Sequence, residues 1–383
     1  MNVTENKLIL LVARREVDAV ELRRLLQEEI NWEYLFATAQ AHGVLPLLHK
    51  HLSGERVPPH FLSRLKRESV ANSQNVLHLI AKQLRVVKIF KQNGVRVALF
   101  KGPLLAQMAY GEMSLRQAGD IDVLISRRDF EKAKALLESL GYEMSPRLTP
   151  TQLASHLSHH CELQFMRDEW FTVVALHWDL APRSFVFNLH ADEVMSRLQP
   201  ASLAGTTVET FGGEDLVLYL AMHGAKHLWR RLEWIASLAE TIRATPSLNW
   251  EVLVQRAEHA HATRMLALGL RLVEKFSDLK LSVLAQVDAD NAMQRMSEQV
   301  STQLFNTFGA ADSTETNLYN LRIMDRKRDA IISALRAIFV PTLPDWQALA
   351  LPAPLHSLYY AFRPLRLSKV YTSSLWRRMR RDA

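Results

Sequence analysis

The densest chemical signal in the chain is the stretch LFKGPLLAQMAYGEMSLRQAGDIDVLI, from Leu99 to Ile125. Its two acidic residues, Asp120 and Asp122, stand either side of Ile121 at the start of an aliphatic run. Alternation along a strand puts both carboxylates on one face and turns Ile121 and Val123 into a core. Two carboxylates so placed repel each other unless a cation lies between them. A hard divalent ion, Mg2+ (or Mn2+), takes oxygen ligands and keeps positions open for the oxygens of a nucleoside triphosphate. Upstream, Gly102 lets the backbone approach closely. The N–H groups opening the next helix form an anion site, with Pro103 suited to its first turn. Lys101 and Arg116 then supply positive charge to phosphates. A plainer reading has Asp120 capping the strand entrance, Asp122 in an ordinary ion pair and Lys101-Gly102 as a turn.

Two histidine groups lie further on. His223 and His227 stand four apart on one helical face, and Arg230 or Arg231 and Trp234 continue the stripe. Imidazoles and a guanidinium there, together with His177, suit phosphate or a polar acceptor at the rim of a site, or satisfy backbone groups between two packed units. Gly224 stands where the H-E-x-x-H zinc signature needs a glutamate. His156, His159, His160 and His177, with the single cysteine Cys161, form the second group. A zinc site using His160 and His177 is the alternative metal reading. The chain contains no G-x-G-x-x-G, Walker or G-x-S-x-G motif, so dinucleotide, P-loop and α/β-hydrolase chemistries have no support.

The elements that must position these residues follow from periodicity. Apolar residues recur at three and four spacing from Val17 to Leu52 and from Phe61 to Lys91, which predicts a helical cap over residues 1–92. Residues 93–182 read as a mixed sheet. Strands are expected at Val95–Phe100, Ile121–Ile125, His159–Phe165 and Phe171–Trp178, with helices at Pro103–Tyr110 and Arg128–Leu140. Strand signals largely stop after Pro182, and residues 183–340 read as a helical unit with long stretches at Glu214–Arg243, Trp250–Phe276, Val287–Phe308 and Leu318–Phe339. Residues 341–383 are a proline-marked segment and a basic tail. The fold class expected is α+β.

Of 383 residues, 48% are hydrophobic and 23% charged, which fits a globular chain with substantial cores. One cysteine excludes an internal disulfide and fits a reducing compartment. The apolar run Leu8 to Ala13 is too short for a membrane span and lacks a leader's cleavage site, so a soluble, cytoplasmic protein is expected. The net charge of +7 owes much to Arg363, Arg366, Lys369, Arg377, Arg378, Arg380 and Arg381. These could contact nucleic acid or anionic lipid, although a solvated helix end is the simpler reading.

The Gly102 turn, short helix and Asp120-Ile121-Asp122 strand resemble the DNA polymerase β-type nucleotidyltransferase fold. Within it, the chain resembles a bacterial family of uncharacterised nucleotidyltransferases. The shared motifs are Lys101-Gly102, Arg116 ahead of Asp120-Ile121-Asp122, His177-Trp178, and His223-Gly224-Ala225-Lys226-His227. Pro341 to Trp346 and Arg363-Pro364-Leu365-Arg366 look similar as well.

The resemblance implies Mg2+-dependent transfer of a nucleoside monophosphate from a triphosphate. The acceptor is open: a small molecule, a sugar phosphate, a peptide or a protein. The family also implies an acidic residue three after Trp234, where this chain has Ser237, and a third metal-binding carboxylate two residues before His177, where it has Ala175. Loss of that carboxylate leaves a weak or inactive nucleotide-binding protein as the alternative. A hairpin with Asp168-Glu169 as a two-residue turn would set Glu162 opposite Ala175 and His160 opposite His177, within about 5 Å. Glu162 is thus the expected replacement and third catalytic acid. Asp179, four residues beyond Ala175, is about 13 Å away.

Overall fold

The computed structural model describes residues 2–167, 172–288, 291–305 and 313–379, with side chains given except at 313–317 and 370–379. Five strands form one sheet: β1 (Val97–Ala98), β2 (Asp120–Ile125), β3 (Glu143–Ser145), β4 (Glu162–Arg167) and β5 (Thr172–His177), in the order β1-β2-β5-β4-β3. Only β2 and β5 run parallel, and the helix Phe130–Ser139 lies in the connection between them. Both central strands are almost fully apolar on their inward face, as a sheet covered on two sides requires. The architecture is α+β, as expected.

Several boundaries differ from the sequence reading. β1 is two residues long, because Leu99 donates its N–H instead to the Glu209 carbonyl at 2.9 Å. That bond attaches a hairpin the periodicity missed, β6 (Gln199–Leu203) and β7 (Thr206–Thr210). It turns at Ala204-Gly205, both with positive φ, the conformation a tight two-residue hairpin turn needs. β4 begins at Glu162 rather than His159, since His159 ends the helix Pro150–His159. A capping box between Thr149 and Gln152 starts that helix.

The register of β4 on β5 also differs from expectation. Glu162 lies opposite His177 and Gln164 opposite Ala175, with Arg167 and Thr172 the last pair before the turn. The expected turn residues Asp168 and Glu169 lie outside the described residues, and the ends of the strands require four residues between them rather than two. The displacement is two positions, so Glu162 keeps its face.

Among the helices, Glu214–Arg243 is two elements, Gly213–Lys226 and Leu232–Ala244. Leu228 and Trp229 between them adopt left-handed backbone and turn the chain. His261 does the same between Trp250–His259 and Thr263–Phe276. Two of the expected tail cations turn inward: Arg363 and Arg366 both bond the fully buried Asp345, at 2.6 and 2.5 Å. No helix among the described residues is long and apolar enough to cross a membrane.

There are two apolar cores. One lies between the sheet, the long helix Pro59–Gln92 and the β6–β7 hairpin. The other joins the N-terminal helices to Gly213–Lys226, Leu232–Ala244 and Thr263–Phe276. At its centre, the fully buried Trp229 ring is wedged between two glycines. A Cβ on Gly224 would overlap that ring, and one on Gly269 would lie 3.2 Å from it. The glycine of H-G-A-K-H is therefore a packing requirement. Gly224→Ala is expected to lower the unfolding free energy by about 1–3 kcal/mol, read from urea denaturation. An unchanged midpoint would show that the ring has room to move.

Candidate active site

Asp120 and Asp122 lie on one face of β2, at the end where the helix Gly102–Tyr110 begins. Gly102 has φ +58°, a backbone conformation costly for any residue with a side chain, and this aims Lys101 back at the strand. The Lys101 ammonium donates to Asp122 Oδ1 at 2.9 Å. His177, at the end of β5, places Nε2 2.9 Å from the same oxygen and Nδ1 3.2 Å from Glu162 Oε2. The ring thus stands between the two carboxylates, one nitrogen facing each. Ala175 is the β5 residue alongside Asp122.

Burial would push the Asp122 carboxyl up, yet Lys101 and His177 outweigh it and hold it well below the usual range. Burial likewise opposes ionised Glu162, but His177, Lys226 and Lys101 outweigh it, and its pKa is lowered. Asp120 is the exception. Burial and then the neighbouring Asp122 push it up to about 6. Its carboxylate has no hydrogen-bond or ion-pair partner among the described residues. Two oxygens of unequal affinity for protons, one unpartnered, are a donor set that a hard divalent cation fits.

Helix Gly213–Lys226 covers this cluster. Tyr219, which sequence reasoning missed, brings its ring centroid 5.7 Å from the Lys101 ammonium and packs edge-on against Phe100, with centroids 5.1 Å apart. One turn on, His223 stacks on Tyr219 at 5.8 Å, and burial followed by the Lys101 charge keeps it neutral. The signal for Tyr219 was present, since it continues the His223–His227 stripe four residues earlier. That stripe does not run on as one helix, because the chain breaks after Lys226. Packing restores it: the Trp234 ring lies 5.8 Å from His223 and 5.3 Å from His227. Arg230 is half-buried in the break.

Arg116 is placed differently from expectation. Its guanidinium faces Glu233 at 3.9 Å, and its Nε has no partner among the described residues. Asp179 is engaged by the Leu180 and Ala191 N–H groups and faces His190. Among the described residues, the group of three potential metal ligands is Cys161, Glu162 and His177, which includes His177 but not His160. Burial pushes the Cys161 thiol up to about 12, making it a poor thiolate donor. His160 stacks on His156 at 4.2 Å.

A family model described as "Uncharacterised nucleotidyltransferase" matches residues 28–278, well over half of the chain, and the chain belongs to that family. It is also similar to the solution structure of the antibiotic-resistance factor ANT(2'')-Ia. The identity is 13%, the match covers 49% of this chain and 91% of that one, and the TM-score is 0.31. No match is found among curated proteins.

The raised Asp120 has a consequence for stability. Its folded pKa of about 6 lies above its ordinary 3.8, so the folded protein binds the extra proton between those values. That contribution is fully present below about pH 4 and is lost as pH rises through about 6. Asp120→Asn is expected to melt a few degrees higher than the parent at pH 8 in chelator, with the difference vanishing at pH 4. A lower melting temperature for the variant at pH 8 would refute the repulsion.

Proposed function

We propose that the protein transfers a nucleoside monophosphate from a nucleoside triphosphate to an acceptor, with Asp120 and Asp122 holding Mg2+ or Mn2+. The observation that carries this reading is the unpartnered Asp120 carboxylate beside the buried Asp122, at the mouth of the Gly102 helix. When bound, the metal neutralises the triphosphate oxygens and orients them for in-line displacement.

The chain's own residues do the rest. Lys101 and the N–H groups opening helix Gly102–Tyr110 carry the phosphates. Arg116 joins them if it releases Glu233, its partner at 3.9 Å. An acceptor oxygen attacks the α-phosphorus, the bond to the bridging oxygen breaks, and pyrophosphate leaves with the electron pair. Glu162, ionised and with its side chain 40% exposed, takes the acceptor's proton. His177 ties Glu162 to Asp122 and so fixes both carboxylates. His223, His227 and Arg230 form the rim toward the acceptor.

Mg2+ with a nucleoside triphosphate is expected to raise the melting temperature, because a ligand that binds only the folded state stabilises it. Asp122→Asn with Asp120→Asn should remove most of that shift in thermal scans. An unchanged shift, or near-stoichiometric zinc in protein prepared without chelator, would overturn the assignment.

A second reading, a nucleotide-binding protein with weak or no turnover, is favoured by Ala175 standing beside Asp122 where a third carboxylate belongs. Pyrophosphate release separates the two. Loss of turnover by about a hundredfold or more in Glu162→Gln, with Asp179→Asn unaffected, supports Glu162 as the working acid. A silent parent that gains turnover in Ala175→Asp supports the second reading.

A further inference from the structure

Beyond Glu162, the sheet face leads to helix Gly213–Lys226 and the loop after β5. Lys226 acts on the Glu162 charge, and the His227 ring lies 4.7 Å from His223. Both residues also line a cavity of about 520 Å3, within the range that encloses a small organic molecule. The rest of its wall is mainly apolar: Phe185, Leu321, Ala334 and Ile338. Among the described residues, no acidic side chain lines it.

Ser184 and Ala337 belong equally to a second, smaller cavity of about 120 Å3, which contains His159, His160, Arg183 and Arg336. Among the described residues, its lining again includes no carboxylate. Arg336 spends one nitrogen on the Arg183 carbonyl at 2.7 Å, and Arg363 is held by Asp345 at 2.6 Å. The Arg183 guanidinium has no partner among the described residues. Its loop is pinned on both sides: the Arg183 N–H bonds the His159 carbonyl at 3.0 Å, and Ser333 Oγ donates to the Ser184 carbonyl at 2.5 Å. The exposed Arg183 thus stands on a fixed loop beside a second guanidinium and two imidazoles, with no anion paired to it among the described residues.

We propose that the joined cavities are the acceptor site and that the acceptor is an amphipathic anion. Its apolar body fills the larger cavity, its carboxylate or phosphate lies on Arg183 and Arg336, and its nucleophilic oxygen reaches the Lys226–His227 end beside Glu162. This rests on the transferase reading above. A sugar phosphate would leave the wall of Phe185, Leu321 and Ile338 facing hydroxyls.

The test titrates ω-hydroxydecanoate into the full-length protein by calorimetry, with decanediol and acetate as controls that each lack one half of the proposed chemistry. The hydroxy acid is expected to bind at least about tenfold more tightly than either control. Arg183→Ala with Arg336→Ala should weaken it to the level of decanediol, and Ala337→Trp, which fills the junction, should abolish it. Each variant is scanned with Mg2+ and nucleoside triphosphate to verify that it is folded and still responds to nucleotide. Acetate binding as well as the hydroxy acid, or binding indifferent to the arginine pair, overturns the proposal while a retained nucleotide response leaves the transferase reading standing. Hydroxy acid binding with no nucleotide response in the parent overturns the transferase reading, and with it the acceptor role.

Discussion

The carboxylate of Asp122 is the constraint on which the rest of the site depends. It is 6% exposed, and a buried charge is tolerated only when paired and hydrogen-bonded. Both partners converge on one oxygen, Lys101 from the helix that Gly102 opens and His177 from the end of β5. The left-handed turn at Gly102, the parallel pairing of β2 with β5 and the cover supplied by Tyr219 all follow from satisfying that one group. The neighbouring Asp120 is left without a partner among the described residues, and the proposed metal site rests on it.

His177 also decides how the missing third carboxylate is accommodated. Ala175 leaves Asp122 without a direct acidic neighbour on β5. Glu162 approaches from β4 and meets His177 instead of Ala175. The imidazole thereby links two carboxylates that would otherwise repel, at the cost of placing Glu162 one step further from Asp122 than the expected register had it.

The outer helices contribute by packing more than by chemistry. The Trp229 ring, enclosed by Gly224 and Gly269, sets how closely helices Gly213–Lys226 and Thr263–Phe276 approach. That spacing keeps Tyr219 and His223 over the carboxylates. The Asp345 network with Arg363 and Arg366 holds the C-terminal segment against the helix Lys327–Phe339, whose Arg336 and Ala337 wall the cavities beside the site.

Local spacing alone determined much of this protein. The shared face of Asp120 and Asp122, the turn at Lys101-Gly102, the α+β class and the family all follow from residue types a few positions apart, because strand alternation and helix openings are short-range rules. Tertiary structure decided what depends on contacts between distant segments. The β4–β5 register hinged on the number of residues spared for a turn, and parity alone kept Glu162 on its face. The break at Leu228-Trp229 is invisible to periodicity, since both flanking helices are apolar toward the same core. Arg116 faces Glu233, which its sequence neighbour Arg231 also approaches at 3.4 Å, and Arg363 bonds the buried Asp345; nearness across more than a hundred residues in the first pair, or from helix to helix in the last, is set only when the chain has folded.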